Sequence, residues 1–463
     1  MRLRAGCRRA GGGTRWNATV VAALVVCVLL ALAVFELRPK ATIEMIGPGT
    51  PTPSPVSHTG DEVTVYARDA PIVPGRPGPI CEGENDQDQI NLELAAAGNR
   101  GGGTVRLSSG QFFCSGDLLV ASNVHLAGAG REETRIEFDD VGDVHLLGPG
   151  GYVEDFSVAG PALVRVTADR CTVRNISATT GAGRWATFGV QVPSSRETIR
   201  GVSFIDCSAV DCGTNGFMIT ANEASSTVLD TTYLRCTVLN AGAKSRFNDW
   251  VVGFSLPEKA NVRNISVAQC RAEGCWESGF HAESEPEKIG VQLTDCTSVR
   301  NGQRRQLGGE EPDYGAGFVV SGDMLLSRCH STANEIGFLC VDGGSLVKDC
   351  GDTGSGTGIL IKDIVDPSGL RIENTRIANA KIPILIASTG DDLFTSISLH
   401  GLTITGEQVG VGAGVVIREV PNPGKISISD SAIEGYPSGL TDSKEGPIAR
   451  RNVTVDGLAL DTV

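Results

Sequence analysis

The sequence predicts an all-β solenoid, and its composition and two recurring phrases are the observations that predict it. The 463 residues include 59 glycines but only 5% aromatic residues, which favours many short turns over the packing of bulky helices. A first phrase, built around cysteine, recurs as "IDCSA", "LRCTV", "AQCRA", "TDCTS", "SRCHS" and "KDCGD". A second phrase follows it, as in "GFMIT", "GFSLP", "GFHAE", "GFVVS", "GFLCV" and "GILIK". Such recurrence is typical of stacked coils made of short strands.

Looser copies extend the first phrase into a column of twelve rows, about 27 residues apart on average, which suits one coil each. The column is Asp155, Asn175, Cys207, Cys236, Cys270, Cys296, Cys329, Cys350, Asn374, Gly401, Ser431 and Asn452. Period-two alternation in the second phrase sends two further columns to the interior, where we expect stacked ladders. They are Phe217, Phe254, Phe280, Phe318, Phe338 and Ile359, and Ile219, Leu256, Ala282, Val320, Cys340 and Ile361.

Three segments precede the repeats. Residues 1–17 hold five arginines and no acid, and are expected to stay in the cytoplasm. Residues 18–36 enclose a long apolar run and predict a transmembrane signal anchor, with cleavage near Ala33 as the alternative. Residues 37–80 are rich in proline and predict an extended stalk. Either alternative places the remaining domain, 81–463, outside the cell.

A helix is expected at the start of this domain. The stretch "ENDQDQINLELAAAG" (84–98) begins with the capping residues Asn85 and Asp86. One helical face collects Ile90, Leu94 and Ala97. Such a helix would close the open end of the solenoid, whose strand edges would otherwise be unpaired.

The stretch after the helix carries a family resemblance. "GGGTVRLSSGQFFCSGDLLVASNVHLAGAGREETRI" (101–136) resembles the first coils of the pectate lyase-like, right-handed parallel β-helix superfamily, and the downstream rows resemble its generic repeats. The resemblance covers about residues 81–463 and implies a single-stranded right-handed parallel β-helix of about twelve coils. It implies little about activity, because the superfamily includes lyases, hydrolases, epimerases and adhesins.

Twelve cysteines follow the membrane-directing segment. Column mates on adjacent coils point in parallel, so a stack of buried thiols is expected rather than disulfides. Cys81 and Cys114 are the candidate disulfide, as a staple between the helix and an early coil. Because no pair has C-x-x-C spacing, no zinc site is expected. No cofactor is indicated, and no motif supports Ca²⁺.

The stretch "GCWESGFHAESE" (274–285) is the candidate site. Alternation sends Phe280 and Ala282 inward, so His281 and Glu283 are expected to face outward. A histidine beside carboxylates can supply a general base and a general acid. The candidate catalytic residues are His281, Glu283 and Glu277.

Long insertions flank this coil and are expected to rise as walls around a groove spanning residues 241–321. Aromatic rings pack against the apolar faces of sugars, and cations pair with uronate carboxylates. The candidate substrate-binding residues are Trp250, Trp276, Tyr314, Asp249, Asp313, Arg246, Arg304 and Arg305, with Lys244 as a further cation.

These observations predict an extracellular, membrane-anchored protein that recognises a polysaccharide or cell-surface glycan in this groove. The alternatives are a polysaccharide lyase, hydrolase or epimerase acting there, and a structural or adhesive protein without catalysis. A formal charge of −14 argues against nucleic-acid binding. Asn264 is the candidate glycosylation site, because Asn175 and Asn452 belong to the column expected to face inward.

Overall fold

The computed structural model describes residues 61–460, with gaps. The gaps are 73, 76–77, 182–183, 243–249, 258, 284–286, 305–314, 363–367, 388–395, 408–411, 419, 421–424 and 443–447. Within the described ranges no helix is long and apolar enough to span a membrane. The tail at 1–17, the segment at 18–36 and most of the predicted stalk lie outside these ranges.

One helix and 45 short strands make up the described chain. The N-terminal elements are β1 (Glu62–Val65), α1 (Asp86–Asn99), β2 (Gly103–Leu107), β3 (Gly110–Cys114), β4 (Leu118–Val120), β5 (Val124–Ala127), β6 (Thr134–Phe138), β7 (Gly142–Leu146), β8 (Tyr152–Glu154), β9 (Ser157–Gly160), β10 (Ala162–Val166), β11 (Thr172–Arg174), β12 (Ser177–Thr180), β13 (Ala186–Val192), β14 (Thr198–Arg200), β15 (Ser203–Ile205) and β16 (Ser208–Val210).

The central elements are β17 (Asn215–Ala221), β18 (Thr227–Leu229), β19 (Thr232–Leu234), β20 (Thr237–Leu239), β21 (Phe254–Ser255), β22 (Asn261–Arg263), β23 (Ser266–Ala268), β24 (Arg271–Glu273), β25 (Phe280–His281), β26 (Lys288–Ile289), β27 (Val291–Thr294), β28 (Thr297–Val299), β29 (Ala316–Val320), β30 (Met324–Ser327), β31 (His330–Thr332) and β32 (Ile336–Cys340). The C-terminal elements are β33 (Leu346–Lys348), β34 (Gly351–Thr353), β35 (Thr357–Lys362), β36 (Leu370–Glu373), β37 (Arg376–Ala378), β38 (Ile382–Ala387), β39 (Ile397–His400), β40 (Thr403–Thr405), β41 (Ala413–Arg418), β42 (Ile426–Glu434), β43 (Ser438–Asp442), β44 (Ala449–Val455) and β45 (Leu458–Ala459).

The strands form three sheets that run along a parallel β-helix. Sheet B has 13 strands, one from each successive coil: β4, β7, β10, β13, β17, β21, β25, β29, β32, β35, β38, β41 and β43. Sheet A has 28 strands, and sheet C has four: β14, β18, β22 and β26. Among the described strands every pairing is parallel except that of β44 with β45. Crossovers between parallel strands of one sheet are right-handed in about 98% of cases. The coils of this parallel β-helix have the same right-handed sense.

The interior ladders are confirmed. Phe217, Phe254 and Phe280 are register partners in sheet B, and their ring centroids lie 4.8 and 4.7 Å apart. Phe318 and Phe338 continue the stack at 4.9 and 5.1 Å, and Ile359 follows in register. The companion column also faces inward, because all six of its members are buried. A single apolar core therefore runs along the helix axis.

The cysteine stack is confirmed as well. Cys207, Cys236, Cys270, Cys296, Cys329 and Cys350 are buried free thiols. Each donates to main-chain carbonyl oxygens; the Sγ of Cys296, for example, lies 3.3 Å from the oxygen of Val267. Burial raises the pKa of Cys207 and Cys236. Cys207 and Cys236 are therefore core groups rather than reactive ones.

Five of the six looser copies of the repeat lie one residue out of register with the cysteine column, whereas Ser431 is buried in register with it. Asp155, Asn175, Asn374, Gly401 and Asn452 all have positive φ and match Asp206, the residue before the cysteine column. Asp, Asn and Gly adopt this left-handed conformation at the lowest cost, which explains their recurrence. The interior counterparts are Phe156, Ile176, Thr375, Leu402 and Val453.

This register also corrects the expected burial of two asparagines in glycosylation sequons. Asn175 is only half-buried and Asn452 is exposed, so neither faces the interior. Asn264 is exposed, as expected, but its Nδ2 donates a hydrogen bond to Asp230 Oδ1 at 3.0 Å. Asn452 Nδ2 donates in the same way to Asp430 Oδ1, at 2.9 Å. Exposure alone therefore does not separate Asn264 from Asn452 as a glycosylation candidate.

A helix lies at the start of the domain, and a strand that precedes it pairs with the first coil. α1 buries Ile90, Leu94 and Ala97 against the first strands. Asn85 has φ 53° and its side chain makes no capping bond, whereas Asp86 accepts hydrogen bonds from the main-chain nitrogens of Gly83 and Phe113. β1 pairs in parallel with β2, so the β-helix begins before the boundary predicted at residue 81.

The candidate disulfide is not formed in this structure. Cys81 and Cys114 are both buried free thiols. Burial raises the pKa of Cys81 to about 12 and that of Cys114 further, with Asp86 adding to both shifts. Because the thiolate is the form that forms disulfides, this environment disfavours the bridge.

A polar ladder crosses the apolar interior in the C-terminal half. Ser298, Ser331 and Asp352 are register partners on β28, β31 and β34, and all three are buried. The Ser355 hydroxyl donates to Asp352 Oδ1 at 2.6 Å. Burial nevertheless raises the pKa of Asp352 to about 6. The folded protein therefore favours the protonated acid.

Asp352 makes stability depend on pH in a defined window. Its folded pKa lies above the ordinary value of 3.8, so its contribution is fully present below about pH 4 and is lost as the pH rises to about 6. We expect Asp352→Asn to abolish this slope, which amounts to about 3 kcal/mol. Chemical denaturation of the full chain between pH 4 and 7 measures it.

Ser355→Ala is the matched control for this prediction. The Ser355 hydroxyl stabilises the carboxylate, so its removal should extend the slope to higher pH rather than abolish it. An Asp352→Asn variant that retains the wild-type slope would contradict the assignment.

Candidate functional site

One column of residues on the outer face of sheet B joins the polar groups of the candidate site. Strand pairing aligns His145, Arg165, Gly189, Met218, Ser255 and His281. Neighbouring strands lie about 4.8 Å apart, so the five steps from His145 to His281 span about 24 Å. We call this surface the sheet B face. Two centres with titratable groups lie on it, one at each end of this column.

The centre predicted from the sequence contains His281 and Glu283. His281 Nε2 lies 3.2 Å from Glu283 Oε1, and this hydrogen bond holds the pKa of Glu283 below its ordinary value. Phe280 and Ala282 face the interior, as expected. His281 lies in the outward-facing column, as expected, but other residues cover it and it is only 5% exposed. Glu283 remains partly open, because 41% of its side chain is exposed.

Two other residues of "GCWESGFHAESE" are in the core rather than on the surface. Glu277 is fully buried, and its Oε2 lies 3.7 Å from Nη1 of Arg304, which is also buried. Trp276 is only 2% exposed. A buried pair of this kind acts mainly on local structure, because removal of one partner leaves an uncompensated charge.

The two tryptophans of the expected aromatic ladder, Trp250 and Trp276, differ in burial. The main-chain N–H of Trp276 donates a hydrogen bond to the oxygen of Ala241. Trp276 therefore packs against the turn at Ala241 and Gly242. Trp250 follows the insertion and is 50% exposed. The other candidates, Lys244, Arg246, Asp249, Arg305, Asp313 and Tyr314, lie outside the described residues.

The second centre was missed in the sequence and lies at the N-terminal end of the column. Asp143 on β7 is buried, and its Oδ2 lies 3.0 Å from Nε of Arg165 on β10. Arg184 pairs with its other carboxylate oxygen. The main-chain nitrogen of Asp143 donates to Asp117 Oδ1 at 2.8 Å. Both arginines remain partly exposed, at 26% and 15%. This centre thus offers guanidinium edges to a ligand on the sheet B face.

His145 is fixed in one tautomer beside this pair. Arg165 Nη2 lies 3.2 Å from Nδ1 of His145, and arginine can only donate, so Nδ1 accepts. Nε2 therefore carries the proton and donates to Thr167 Oγ1 at 2.8 Å. Burial, reinforced by the Arg165 charge, lowers the pKa of His145 to about 4. His145 is consequently neutral at physiological pH.

An aromatic ring lies on the sheet B face beside this centre. A Cβ placed on Gly189 would lie only 2.0 Å from the Cη2 atom of Trp185, so the indole lies directly against the main chain of β13. Trp185 packs with Leu163, Ala186 and Met218 and is half-buried. Its ring therefore presents an aromatic surface next to the guanidinium groups.

The sequence carried a signal for this second centre. In "GDVHL" and "ALVRV" the polar residues Asp143, His145 and Arg165 alternate with buried residues, which places all three on one outer face. Over the described ranges, no cluster of three or more His, Cys, Asp or Glu is arranged to hold a metal ion.

Comparison with known proteins supports the fold. No family profile matches the chain. The N-terminal fragment of gene product 12 from bacteriophage Phi29 superposes with a TM-score of 0.52 at 13% identity, covering 78% of this chain and 70% of that one. The A-module of a mannuronan C-5 epimerase from Azotobacter vinelandii gives a TM-score of 0.43 at 15% identity over 81% and 97%. The fold is that of right-handed parallel β-helix proteins.

One curated protein also matches in sequence. Alginate lyase 7 of Azotobacter vinelandii is 41% identical over 71 residues, a segment that makes up 14% of this chain and 8% of the lyase. The match thus spans a small part of either protein.

The tautomer and charge of His145 can be measured directly. We expect its imidazole to stay neutral down to about pH 4, and Arg165→Met to raise its pKa because a nearby positive charge is removed. Histidine NMR titration of the full chain, with His145→Gln for assignment, provides the measurement. Lys348→Met, on sheet A, serves as the control. Protonation of His145 near pH 6.5 in the wild type would contradict the burial argument.

Proposed function

We propose that this protein binds a polysaccharide along the sheet B face. The observation that carries the proposal is the Trp185 ring lying against Gly189, next in the column to the partly exposed Arg165. Sugars pack their apolar C–H faces on aromatic rings, while guanidinium groups hydrogen-bond their hydroxyl and carboxylate oxygens. With His281 and Glu283 about 24 Å from His145, the face suits an extended chain rather than a single sugar.

The similarity to proteins named for their action on polysaccharides supports this proposal. Both the short sequence match to an alginate lyase and the fold shared with a mannuronan epimerase module point to polymers of sugars. The groove predicted at residues 241–321 contributes His281 and Glu283 to the same face. The proposed binding surface therefore extends N-terminally from that groove, to Arg165 and Trp185.

A second function is favoured by the His281–Glu283 pair. A carboxylate 3.2 Å from an imidazole orients the ring for proton transfer, as a general base requires. A lyase, hydrolase or epimerase acting at this pair is thus the alternative proposal. Glu283 is accessible enough to meet a substrate, whereas Glu277 is fully buried and would act only through structure.

The proposed location of the domain is outside the cell. The apolar run at 20–35, with arginines before it and the proline-rich stretch after it, supports delivery across a membrane. Protease treatment of intact cells that express the full chain tests this. Digestion of the β-helix without cell lysis is expected, and complete protection would overturn the proposed location.

Substitution of Trp185 tests the binding surface. We expect Trp185→Ala to weaken binding to the preferred polysaccharide about fivefold, because a stacking aromatic contributes on the order of 1 kcal/mol beyond its buried area. Affinity gel electrophoresis with a panel of polyuronates and neutral glycans provides the measurement. Trp250→Ala, at another exposed tryptophan, is the matched variant and should change affinity less than twofold. A larger loss of affinity in Trp250→Ala than in Trp185→Ala would place the binding site near Trp250 instead.

Turnover tests the alternative. If the protein is an enzyme, His281→Ala should lower the rate of product formation at least a hundredfold, because general acid–base groups contribute about that much, while binding persists. Reducing ends and the ultraviolet absorbance of unsaturated products distinguish hydrolysis from elimination. Polysaccharide that is bound but unchanged by the wild type would rule out both activities for that polymer.

A further inference from the structure

A buried lysine lies behind the His281–Glu283 pair. Lys288, the first residue of β26, is only 5% exposed. Its Nζ donates to the main-chain oxygen of Glu283 at 2.5 Å. The Ser321 hydroxyl donates to the same oxygen at 3.0 Å. One carbonyl group thus receives two side-chain donors, one from the first residue of β26 and one from the residue that follows β29 in the next coil.

These contacts act on a residue that has left the regular ladder. Glu283 follows β25, and its main-chain nitrogen lies 3.3 Å from the oxygen of Pro257, a longer hydrogen bond than usual. The direction of its side chain towards His281 therefore depends on what holds its carbonyl group. Lys288 and Ser321 supply that restraint.

The path of the lysine side chain is itself built into the fold. A Cβ placed on Gly322 would lie 2.7 Å from Cε of Lys288, so the stem of the lysine crosses the main chain where glycine leaves room. Burial lowers the pKa of Lys288 to about 8, although Asp342 and Glu283 oppose the shift. Burying an ammonium group is costly, and a purely structural position could hold an apolar side chain instead.

We propose that Lys288 is a positioning residue, which holds the Glu283 carboxylate against His281 by clamping the Glu283 carbonyl oxygen together with Ser321. The inference rests on the proposed role of the His281–Glu283 pair in the sheet B face. It adds two residues to that site, neither of which touches a ligand. Their effect is on the geometry of the pair.

The state of Glu283 provides the readout. Its pKa lies below the ordinary value chiefly because His281 hydrogen-bonds to it, so a loosened pair raises the pKa. Carboxyl NMR titration of the full chain, without any polysaccharide, measures this value. His281→Ala defines the complete loss of the pair, and Glu283→Gln assigns the signal.

Two variants separate positioning from charge. Lys288→Met removes both the donor and a nearby positive charge, whereas Ser321→Ala removes a donor without any change of charge. The clamp predicts that both raise the pKa of Glu283 by about half a unit or more, towards the value in His281→Ala. A rise in Lys288→Met alone would mean that the lysine acts only by its charge, and would overturn the proposal.

No rise in either variant would overturn it as well. If Lys288→Met fails to fold, as judged by thermal unfolding, Ser321→Ala alone decides between the outcomes. Lys348→Met is the matched control and should leave the Glu283 titration unchanged. Because no polysaccharide is present, failure of the proposed binding function leaves this test intact, and the reverse is equally true.

Discussion

Parallel main-chain pairing between coils is the constraint on which the rest of this protein depends. It stacks each residue about 4.8 Å from its counterpart in the next coil, so any side chain must be compatible with its own column. Phenylalanine satisfies this by stacking ring on ring, and cysteine by bonding to carbonyl oxygens. At the corner before the phenylalanines only glycine fits, since a Cβ on Gly253 would lie 2.5 Å from the oxygen of Gly279.

The same stacking governs the polar groups of the sheet B face. Like charges on neighbouring coils would repel at this spacing, and here the carboxylate of Asp143 pairs instead with the guanidinium groups of Arg165 and Arg184. His145, next to Arg165, loses its charge instead. Farther along the column, His281 obtains its carboxylate from the same strand end rather than from a neighbouring coil. The two centres are thus electrostatically self-contained, and the Trp185 ring and Met218 lie between them.

The features that could be predicted from the sequence are those in which the same residue type repeats at the same position of successive coils. The phenylalanine and cysteine columns repeat the same letters, so their inward direction was correctly predicted, as was the buried face of α1. The predicted register was wrong where the residue type varies between coils. The left-handed turn accepts Asp, Asn or Gly, so Asn175 was aligned with Cys207 although it occupies the position before that column. Burial of His281 and Trp276 depends on the turns and coils around them, which a local alternation rule does not contain. Asp143 and Arg165 were not predicted, because they lie in segments that belong to neither recurring phrase.

The nearest-neighbour character of the ladder around α1 and sheet B has a consequence for how the molecule fluctuates. When each coil contacts only its neighbours, local unfolding starts at the ends and proceeds one coil at a time. α1 packs on the first coils, and the antiparallel β44–β45 hairpin ends the ladder at the other side. The coil of His281 has several coils on either side of it. Thermal fraying reaches that coil last, so the pair of His281 and Glu283 sits in the least fluctuating part of the rod.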